Sequence, residues 1–352
     1  MIRWFYILLI SILLPVFVSG QSLRCMYDEL TAKACQERDF IKAKAYSDST
    51  LSNCPDLFEN PYVWYLRGFT LYQLYKQQGA YSDSPLREDA LEALNRSIVL
   101  DSVKHQFEGD VKRIIKNIAT TYWNNAAVSM DTNSFNKALD YYGKYKRAIK
   151  IALPDFDLSE REIEFKRSLG LIYEEKFNNN KKLYAEYIDL SINCFKEVLE
   201  IDSMHYDANF NIGKIYHNLA VDIIINEIPK VDDLELFFMF EEQTVEYFSN
   251  ALPYFKRAYL VQPQNQQVVQ GMAAVYYSLH DEEKHKIYMD VLKGIQNEEI
   301  QQINPPNSSS TWDPNKTYVP GDVVEFSGSY FKAITSSTGV SPNSSAADWE
   351  KL

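Results

Sequence analysis

The chain contains little glycine and few cysteines, with 12 glycines and 4 cysteines in 352 residues. It has no Gly-x-Ser-x-Gly elbow, no phosphate-binding loop and no glycine-rich dinucleotide turn. Its 5 histidines are scattered, and His280 and His285 do not have the i, i+4 spacing of a helical zinc pair. The sequence therefore predicts no catalytic residue, no cofactor and no metal site, and it favours a protein that is not an enzyme.

Positive charge is also scarce. Lysine and arginine number 36 against 48 aspartates and glutamates, which gives a formal net charge of -12. Because phosphate backbones are bound by cationic surfaces, this balance argues against a nucleic-acid partner. Beyond position 20 there is no long apolar run, so we expect no membrane span in the mature chain. Hydrophobic residues nevertheless make up 46% of the chain, which is enough for a sizeable core.

The first twenty residues have the pattern of a secretory signal peptide. Arg3 supplies a positive charge, Trp4–Val18 is apolar, and small residues precede Gln21, the expected new N-terminus. A retained anchor is the alternative, but the apolar run is shorter than the roughly 20 residues that span a bilayer. Lipid attachment at Cys25 is disfavoured by the bulky Arg24 before it. We therefore expect an exported protein, periplasmic or at the cell surface or outside the cell.

A helical-hairpin pattern recurs six times between residues 21 and 303. In the clearest copy, Pro61–Asp101, the first helix carries Trp64, Gly68 and Leu71, and the second carries Ala90, Leu94 and Ser97. Small residues at this spacing allow two helices to cross closely, while large apolar residues fill the gaps between hairpins. Later copies place the same residue types at Ala138, Tyr142, Tyr145, Leu169, Gly170, Tyr173, Ser191, Phe195, Val198, Gly213, Tyr216, Ala251, Phe255, Ala258 and Pro263.

This pattern resembles the tetratricopeptide repeat, whose unit is about 34 residues long. The resemblance implies a mainly α fold, an α-helical solenoid whose first helices line a groove that binds a protein partner. The spacing departs from the family period, since Ala90 and Ala138 are 48 residues apart and Ala138 and Ser191 are 53 apart. We therefore expect insertions near 77–85, 177–182 and 226–240.

The four cysteines are interpreted in the light of export. Cys25 and Cys54 bracket the first predicted hairpin, so their side chains should lie at the same end of it, and a disulfide between them is plausible in an oxidising compartment. Cys35 lies about 15 Å along the helix from Cys25, too far to bond with it. Cys35 and Cys194 are interpreted as small buried apolar residues.

One apolar run, Leu236–Phe240, allows two interpretations. Its phenylalanines and Met239 could form a partner-binding ridge within an insertion. The sequence favours burial against neighbouring helices, because monomers rarely expose so much apolar surface.

The composition changes after Ile303. Residues 304–311 form a polar linker rich in proline and serine. Residues 312–352 alternate apolar and polar side chains in short runs, and 322–335 predict a β-hairpin with its turn at Ser327–Ser329. The sequence therefore predicts a small all-β module packed around aromatic rings such as Trp312, Tyr330 and Trp349.

This tail resembles the small carbohydrate-binding modules of families 5 and 12, which are of the chitin-binding type. The resemblance rests on the ordered positions Trp312, Tyr318, Gly321, Asp322, Val323, Val324, Gly328, Tyr330, Ala333, Gly339, Pro342, Trp349 and Leu352. It implies a compact three-stranded unit that stacks a polysaccharide on exposed rings. The family's paired tryptophans are missing, because Ile334, Thr335 and Ser336 follow Ala333.

The candidate carbohydrate-binding residues are Tyr318, Phe331, Trp312 and Trp349. Strand alternation is expected to turn Tyr330 inward and Phe331 outward, so that Phe331 and Tyr318 form the sugar-facing surface. The alternative is a module that keeps the fold, uses its rings as core, and binds another glycan, a protein or nothing.

Together these features predict an exported, non-enzymatic scaffold. It would bind a protein partner in its groove and attach through its tail to a polysaccharide containing N-acetylglucosamine, such as peptidoglycan, or to a surface polysaccharide. One alternative is an accessory targeting protein of a polysaccharide-degradation system. Another is an accessory subunit of an envelope secretion or gliding machine, since exported tetratricopeptide proteins of this kind resemble those of Bacteroidota.

Overall fold

The computed structural model describes residues 25–79, 83–131, 134–303, 310–345 and 347–351, with only the backbone described at 297–303 and at Ser310. The predicted signal peptide and most of the predicted linker lie outside the described residues. The chain divides into two compact units, one ending at Leu158 and the other beginning at Ser159. We describe each unit by itself.

The N-terminal unit is helical throughout its described part. Its helices are α1 (Tyr27–Gln36), α2 (Phe40–Asn53), α3 (Pro61–Gln77), α4 (Pro85–Leu100), α5 (Glu108–Asp131) and α6 (Phe135–Ala152). Consecutive helices pack as the hairpins α1/α2, α3/α4 and α5/α6, and each hairpin contacts the next. Several helix starts are fixed by short polar side chains, as at Asn60, whose side chain accepts a hydrogen bond from the Tyr62 N–H at 3.0 Å.

The C-terminal unit continues the same arrangement before it changes to strands. Its helices are α7 (Ser159–Asn179), α8 (Glu186–Ile201), α9 (Tyr206–Asp222), α10 (Leu234–Val261), α11 (Gln266–Ser278) and α12 (Glu282–Ile303). They pair as α7/α8, α9/α10 and α11/α12. A π-helical turn, Ile223–Glu227, and a 3₁₀ turn, Ile228–Lys230, join α9 to α10.

The predicted close helix crossings occur at glycines. A Cβ atom added at Gly68 of α3 would lie 2.5 Å from Leu94 Cγ of α4, and one at Gly170 of α7 would lie 3.0 Å from the Phe195 ring of α8. These distances leave no room for a side chain, so glycine lets a large residue of the second helix pack directly on the first. The fold is therefore mainly α, with tetratricopeptide-like hairpins as the sequence predicted.

The run Leu236–Phe240 contradicts one prediction. Phe238 and Met239 are 55% and 60% exposed, and Phe237 and Phe240 are half-buried. The first buried side chain of α10 is Thr244. Burial was therefore the wrong interpretation, because α10 begins well before the segment that packs against its neighbours.

The C-terminal module consists of short strands: β1 (Ser310–Thr311), β2 (Thr317–Tyr318), β3 (Val323–Phe326), β4 (Ser329–Ala333), β5 (Ser337–Thr338) and β6 (Trp349–Lys351). Four of them form a sheet in the order β1-β3-β4-β6, antiparallel except for the β1/β3 pair, and β2 pairs with β5. The β3/β4 hairpin turns at Ser327 and Gly328, whose φ angles of 51° and 74° suit a two-residue turn. The predicted module is therefore all-β, but its main sheet has one strand more than the three that the family resemblance implied.

No described helix is long and apolar enough to cross a membrane. In the same part of the chain, no group of three or more histidine, cysteine, aspartate or glutamate side chains is placed to hold a metal ion.

Candidate functional site

The first helix of the second hairpin, α3, carries a row of aromatic side chains. Tyr62, Tyr65 and Phe69 follow each other at three- and four-residue spacing, which places them on one side of the helix. All three are half-buried. Gly68, by contrast, lies on the side that packs against α4. The ring contacts that these residues make beyond α3 are with Phe40 and Phe107, which lie outside α4.

These rings contact further aromatic rings on α2 and on the loop before α5. The Tyr65 ring stacks on Phe107, just before α5, with centroids 5.6 Å apart and an interplanar angle of 12°. Tyr62 lies 5.3 Å from Phe107, and Phe69 lies 6.1 Å from Phe40 of α2. We call these five residues, Phe40, Phe69, Tyr65, Phe107 and Tyr62, the aromatic row. Because adjacent rings contact one another, the row forms a continuous half-exposed apolar surface across α2, α3 and the loop before α5.

A pocket of about 570 Å³ opens at one end of the aromatic row. Its walls come from the start of α3, the end of α4 and the loop before α5: Glu59, Asn60, Pro61, Tyr62, Leu100, Asp101, Val103, Lys104, Gln106 and Phe107. The buried Asp101 carboxylate accepts a hydrogen bond from the Phe107 N–H at 2.7 Å, which fixes the loop. The pocket is large enough for a side chain of a bound segment, and the row would support the rest of that segment.

Burial adjusts the chemistry of the two phenols in the row. It raises the pKa of Tyr62 and the pKa of Tyr65, with nearby carboxylates acting in the same direction. Both therefore stay neutral at physiological pH, and each keeps a hydroxyl that can donate a hydrogen bond at the edge of an apolar surface.

The first helices of the C-terminal unit present a different surface. Arg167 of α7 forms an ion pair with Asp207 of α9 at 3.1 Å, and Lys214 of α9 pairs with Glu174 of α7 at 3.0 Å. Burial lowers the pKa of His217, which lies on the same helix. These charges are satisfied between adjacent hairpins, so a charged ligand would have to break existing pairs.

A buried arginine in the N-terminal unit is part of the core. Arg87 of α4 is 2% exposed and donates to the Tyr75 and Thr121 hydroxyls, each at 3.2 Å. Its guanidinium lies 3.9 Å from the centroid of the Tyr122 ring. Tyr122 in turn donates a hydrogen bond to Glu88 of α4. Burial, together with this hydrogen bond, raises the pKa of Tyr122. This cluster joins α3, α4 and α5, and we assign it a structural role.

The structure places the candidate carbohydrate-binding residues mainly inside the module. Tyr318, Phe331 and Trp349 are 1%, 5% and 3% exposed, and they pack together with Val324 and Ala333. Trp312 is half-buried and packs edge-on against Phe326 at 5.3 Å. Trp312 is therefore the one of the four candidate residues that keeps substantial exposure.

The predicted alternation of β4 is wrong in its phase. Tyr330 is 49% exposed, whereas Phe331 and Ala333 point into the core. The charged Lys332, which pairs in register with Glu350, has to face water and fixes this phase. Tyr330 is therefore the ring of β4 that the solvent reaches.

Two of the four cysteines form a disulfide, and the other two are free. Cys25 and Cys54 form a disulfide with their Cα atoms 5.9 Å apart. Cys35 is half-buried, with its sulfur 3.2 Å from the Thr70 hydroxyl. Cys194 is buried in α8, where desolvation raises the pKa of its thiol to about 12.

No family model matches this chain, and no curated protein matches it. Among solved structures, it is similar to the human IFIT1 dimer with PPP-AAAA, with 14% identity and a TM-score of 0.20 over 72% of this chain and 68% of that one. It is also similar to the human IFIT1 dimer with m7Gppp-AAAA, with the same identity and TM-score over 78% and 71%. At these values the likeness carries no argument about function. From its own structure, the chain is a helical-repeat protein with tetratricopeptide-like hairpins and a small C-terminal β module.

Proposed function

We propose that this protein is a non-enzymatic scaffold that binds a partner protein along the aromatic row of its N-terminal unit. The observation that carries the proposal is the ring-to-ring contact from Phe40 to Tyr62, which ends at the 570 Å³ pocket. Half-exposed aromatic rings are typical of binding surfaces, because they offer a large contact area and lose little side-chain entropy on binding.

The surface indicates the chemistry of the bound segment. The aromatic row is apolar, with neutral phenol hydroxyls at Tyr62 and Tyr65. The pocket next to it contains Glu59 and Lys104, so it presents both signs of charge at its rim. An extended or helical segment with one bulky apolar side chain for the pocket, and further apolar contacts along the row, fits this arrangement best.

A peptide selection tests the assignment of the aromatic row. Peptides selected from a random library on the full chain should bind Tyr65→Ala and Phe107→Ala at least about tenfold more weakly, because truncating a buried anchor costs about 2 kcal/mol or more. Fluorescence anisotropy measures each Kd. Tyr277→Ala, in α11, is the matched control, because that ring is 68% exposed and lies in the other unit. Equal losses in all three variants, or none, would contradict the site.

We also propose export to an oxidising compartment. The apolar run Trp4–Val18 and the small residues before Gln21 support it. The pairing of Cys25 with Cys54 supports it as well, because disulfides persist mainly outside the cytosol.

For the C-terminal module we propose a tether to a glycan, with Tyr330 as its stacking ring. The support is the family resemblance together with the exposed outer face of the sheet, where Tyr330 lies opposite Glu325 in the β3/β4 register. Sugar C–H faces stack on exposed rings, and neighbouring carboxylates accept hydrogen bonds from sugar hydroxyls. The buried rings at Tyr318, Phe331 and Trp349 then serve to hold this face in shape.

Sedimentation with insoluble polysaccharides tests the tether. The full chain should pellet with purified peptidoglycan or chitin, and Tyr330→Ala should reduce the bound fraction severalfold, while Tyr277→Ala should not. Ile334→Trp restores one ring of the family's missing pair at a position that is 48% exposed, so it should raise the bound fraction above that of the natural chain. A chain that stays in the supernatant with peptidoglycan, chitin and cellulose would refute the tether. That result would not contradict the proposed binding along the aromatic row.

A further inference from the structure

The joint between α9 and α10 leaves an uncovered apolar surface. Side chains of α10 become buried only from Thr244 onward, so residues 234–243, roughly 15 Å of helix, precede its packed part. Ile225 of the π-helical turn is 64% exposed, and Leu234 at the start of α10 is 67% exposed. We call residues 223–246 the acidic apolar tip. π-Helical turns are rare and are frequently found at functional sites.

The apolar side chains of the tip form a stripe. Leu234 and Phe238 are one turn apart on α10. Glu241 and Glu242 follow one turn later on the same face, and Val245, 45% exposed, lies one turn beyond them. Met239, 60% exposed, and Ile224, 42% exposed, add to it. Soluble monomers rarely expose contiguous apolar surface of this kind, and where they do it marks an interaction site.

Carboxylates surround this stripe. Against the single cation Lys230, the tip carries Glu227, Asp232, Asp233, Glu235, Glu241, Glu242 and Glu246. Within the part of the chain that the structure describes, none of these carboxylates forms an ion pair. The tip therefore combines exposed apolar side chains with these seven carboxylates, which we call the carboxylate rim.

We propose that the acidic apolar tip binds a protein segment whose apolar face is flanked by lysine or arginine, as in a cationic amphipathic helix. The apolar stripe would bury the partner's apolar face, and the carboxylate rim would pair with its cations. A second copy of this chain fits less well, because its own rim would repel the first. An anionic membrane surface is repelled for the same reason. The tip does not overlap the aromatic row, so this proposal does not depend on that site.

The test uses the full chain and two synthetic 18-residue amphipathic helices, one built of leucine and lysine and the other of leucine and glutamate. The leucine–lysine peptide should bind, and Phe238→Ser with Leu234→Ser should weaken it at least about tenfold in titration calorimetry. Leu260→Ser is the matched control, because Leu260 lies in the same helix and is 71% exposed. Glu241→Gln with Glu242→Gln should weaken binding severalfold and reduce its dependence on salt, whereas Glu282→Gln with Glu283→Gln on α12 should change neither.

Several outcomes would overturn the proposal. Equal affinity for the leucine–glutamate peptide would show that the carboxylate rim does not select the partner. Equal losses in the tip variant and in Leu260→Ser would show that the peptide binds elsewhere. A concentration-dependent dimer in sedimentation velocity that Phe238→Ser abolishes would identify a second copy as the occupant. Pelleting with phosphatidylcholine vesicles that Phe238→Ser abolishes would identify a lipid surface.

Discussion

Replacing Phe255 with alanine is expected to lower the free energy of unfolding by about 3–5 kcal/mol, the range for truncating a buried phenylalanine. Phe255 of α10 is 2% exposed and contacts two first helices at once. A Cβ atom at Gly213 of α9 would lie 2.9 Å from its ring, and one at Gly271 of α11 would lie 2.8 Å from it. One ring therefore joins two consecutive hairpins, and its loss weakens both contacts. Urea denaturation followed by far-UV circular dichroism measures the change.

A double-mutant cycle isolates this contact from general damage to the fold. Gly213→Ala alone should cost about 1–3 kcal/mol, because the new methyl group meets the Phe255 ring. With Phe255→Ala the same methyl group enters the space that the ring has left. The double variant should therefore lose less stability than the sum of the losses of the two single variants. Leu260→Ala in the same helix should stay within about 0.5 kcal/mol of the natural chain. Strict additivity of the first two variants would mean that the ring and the glycine do not press on each other.

The hairpins could be predicted from the sequence because each rests on a local steric requirement. A glycine in one helix and a large residue in the next, such as Gly68 with Leu94, form one contact in space. Both residue types recur at fixed spacing in the sequence, and they mark the two helices. The order and type of the helices follow from these marks. The lengths of the helices do not follow from them. In α10, for example, the residues Leu234–Gln243 do not indicate that the helix begins ten residues before its first buried side chain, Thr244.

The aromatic row shows a different limit of the sequence. Tyr62, Tyr65 and Phe69 have helical spacing, which is equally typical of a buried core face. The distinction depends on the contacts of these rings with Phe40 and Phe107, which are distant from them in sequence. The pocket beside the row is formed by two segments, 59–62 and 100–107, that are distant in sequence, so no local pattern could predict it.

The strand β4 shows why the sequence pattern alone did not predict which side chains of a short strand face the core. Tyr330 and Phe331 are both aromatic, so hydrophobicity alone does not say which one faces the core. The neighbouring Lys332 decides it, since a lysine in a module of this size has to reach water. Assigning the phase of the strand alternation from the charged residue would have identified Tyr330 as the exposed ring.

Reducing the Cys25–Cys54 disulfide is expected to lower the free energy of unfolding by about 3–4 kcal/mol. The bond closes a segment with a sequence separation of 29 and ties the residues before α1 to the end of α2. The hairpin it encloses has a small core, since Thr31 and Ala34 are the buried residues of α1. Without the cross-link the unfolded hairpin gains conformational entropy that little apolar burial opposes. Urea denaturation with and without reductant, followed by circular dichroism, measures the loss.

The controls for this prediction also bear on export. A chain with Cys25→Ser and Cys54→Ser should lose the same stability and should no longer respond to reductant, whereas Cys35→Ser should keep the response. A response that survives in the double variant would show that another thiol is involved. Thiol titration of the denatured natural chain should then label only Cys35 and Cys194, the free cysteines, if the protein was made in an oxidising compartment. Labelling of Cys25 and Cys54 as well in protein taken from its native location would contradict export, because an oxidising compartment keeps such a bond formed.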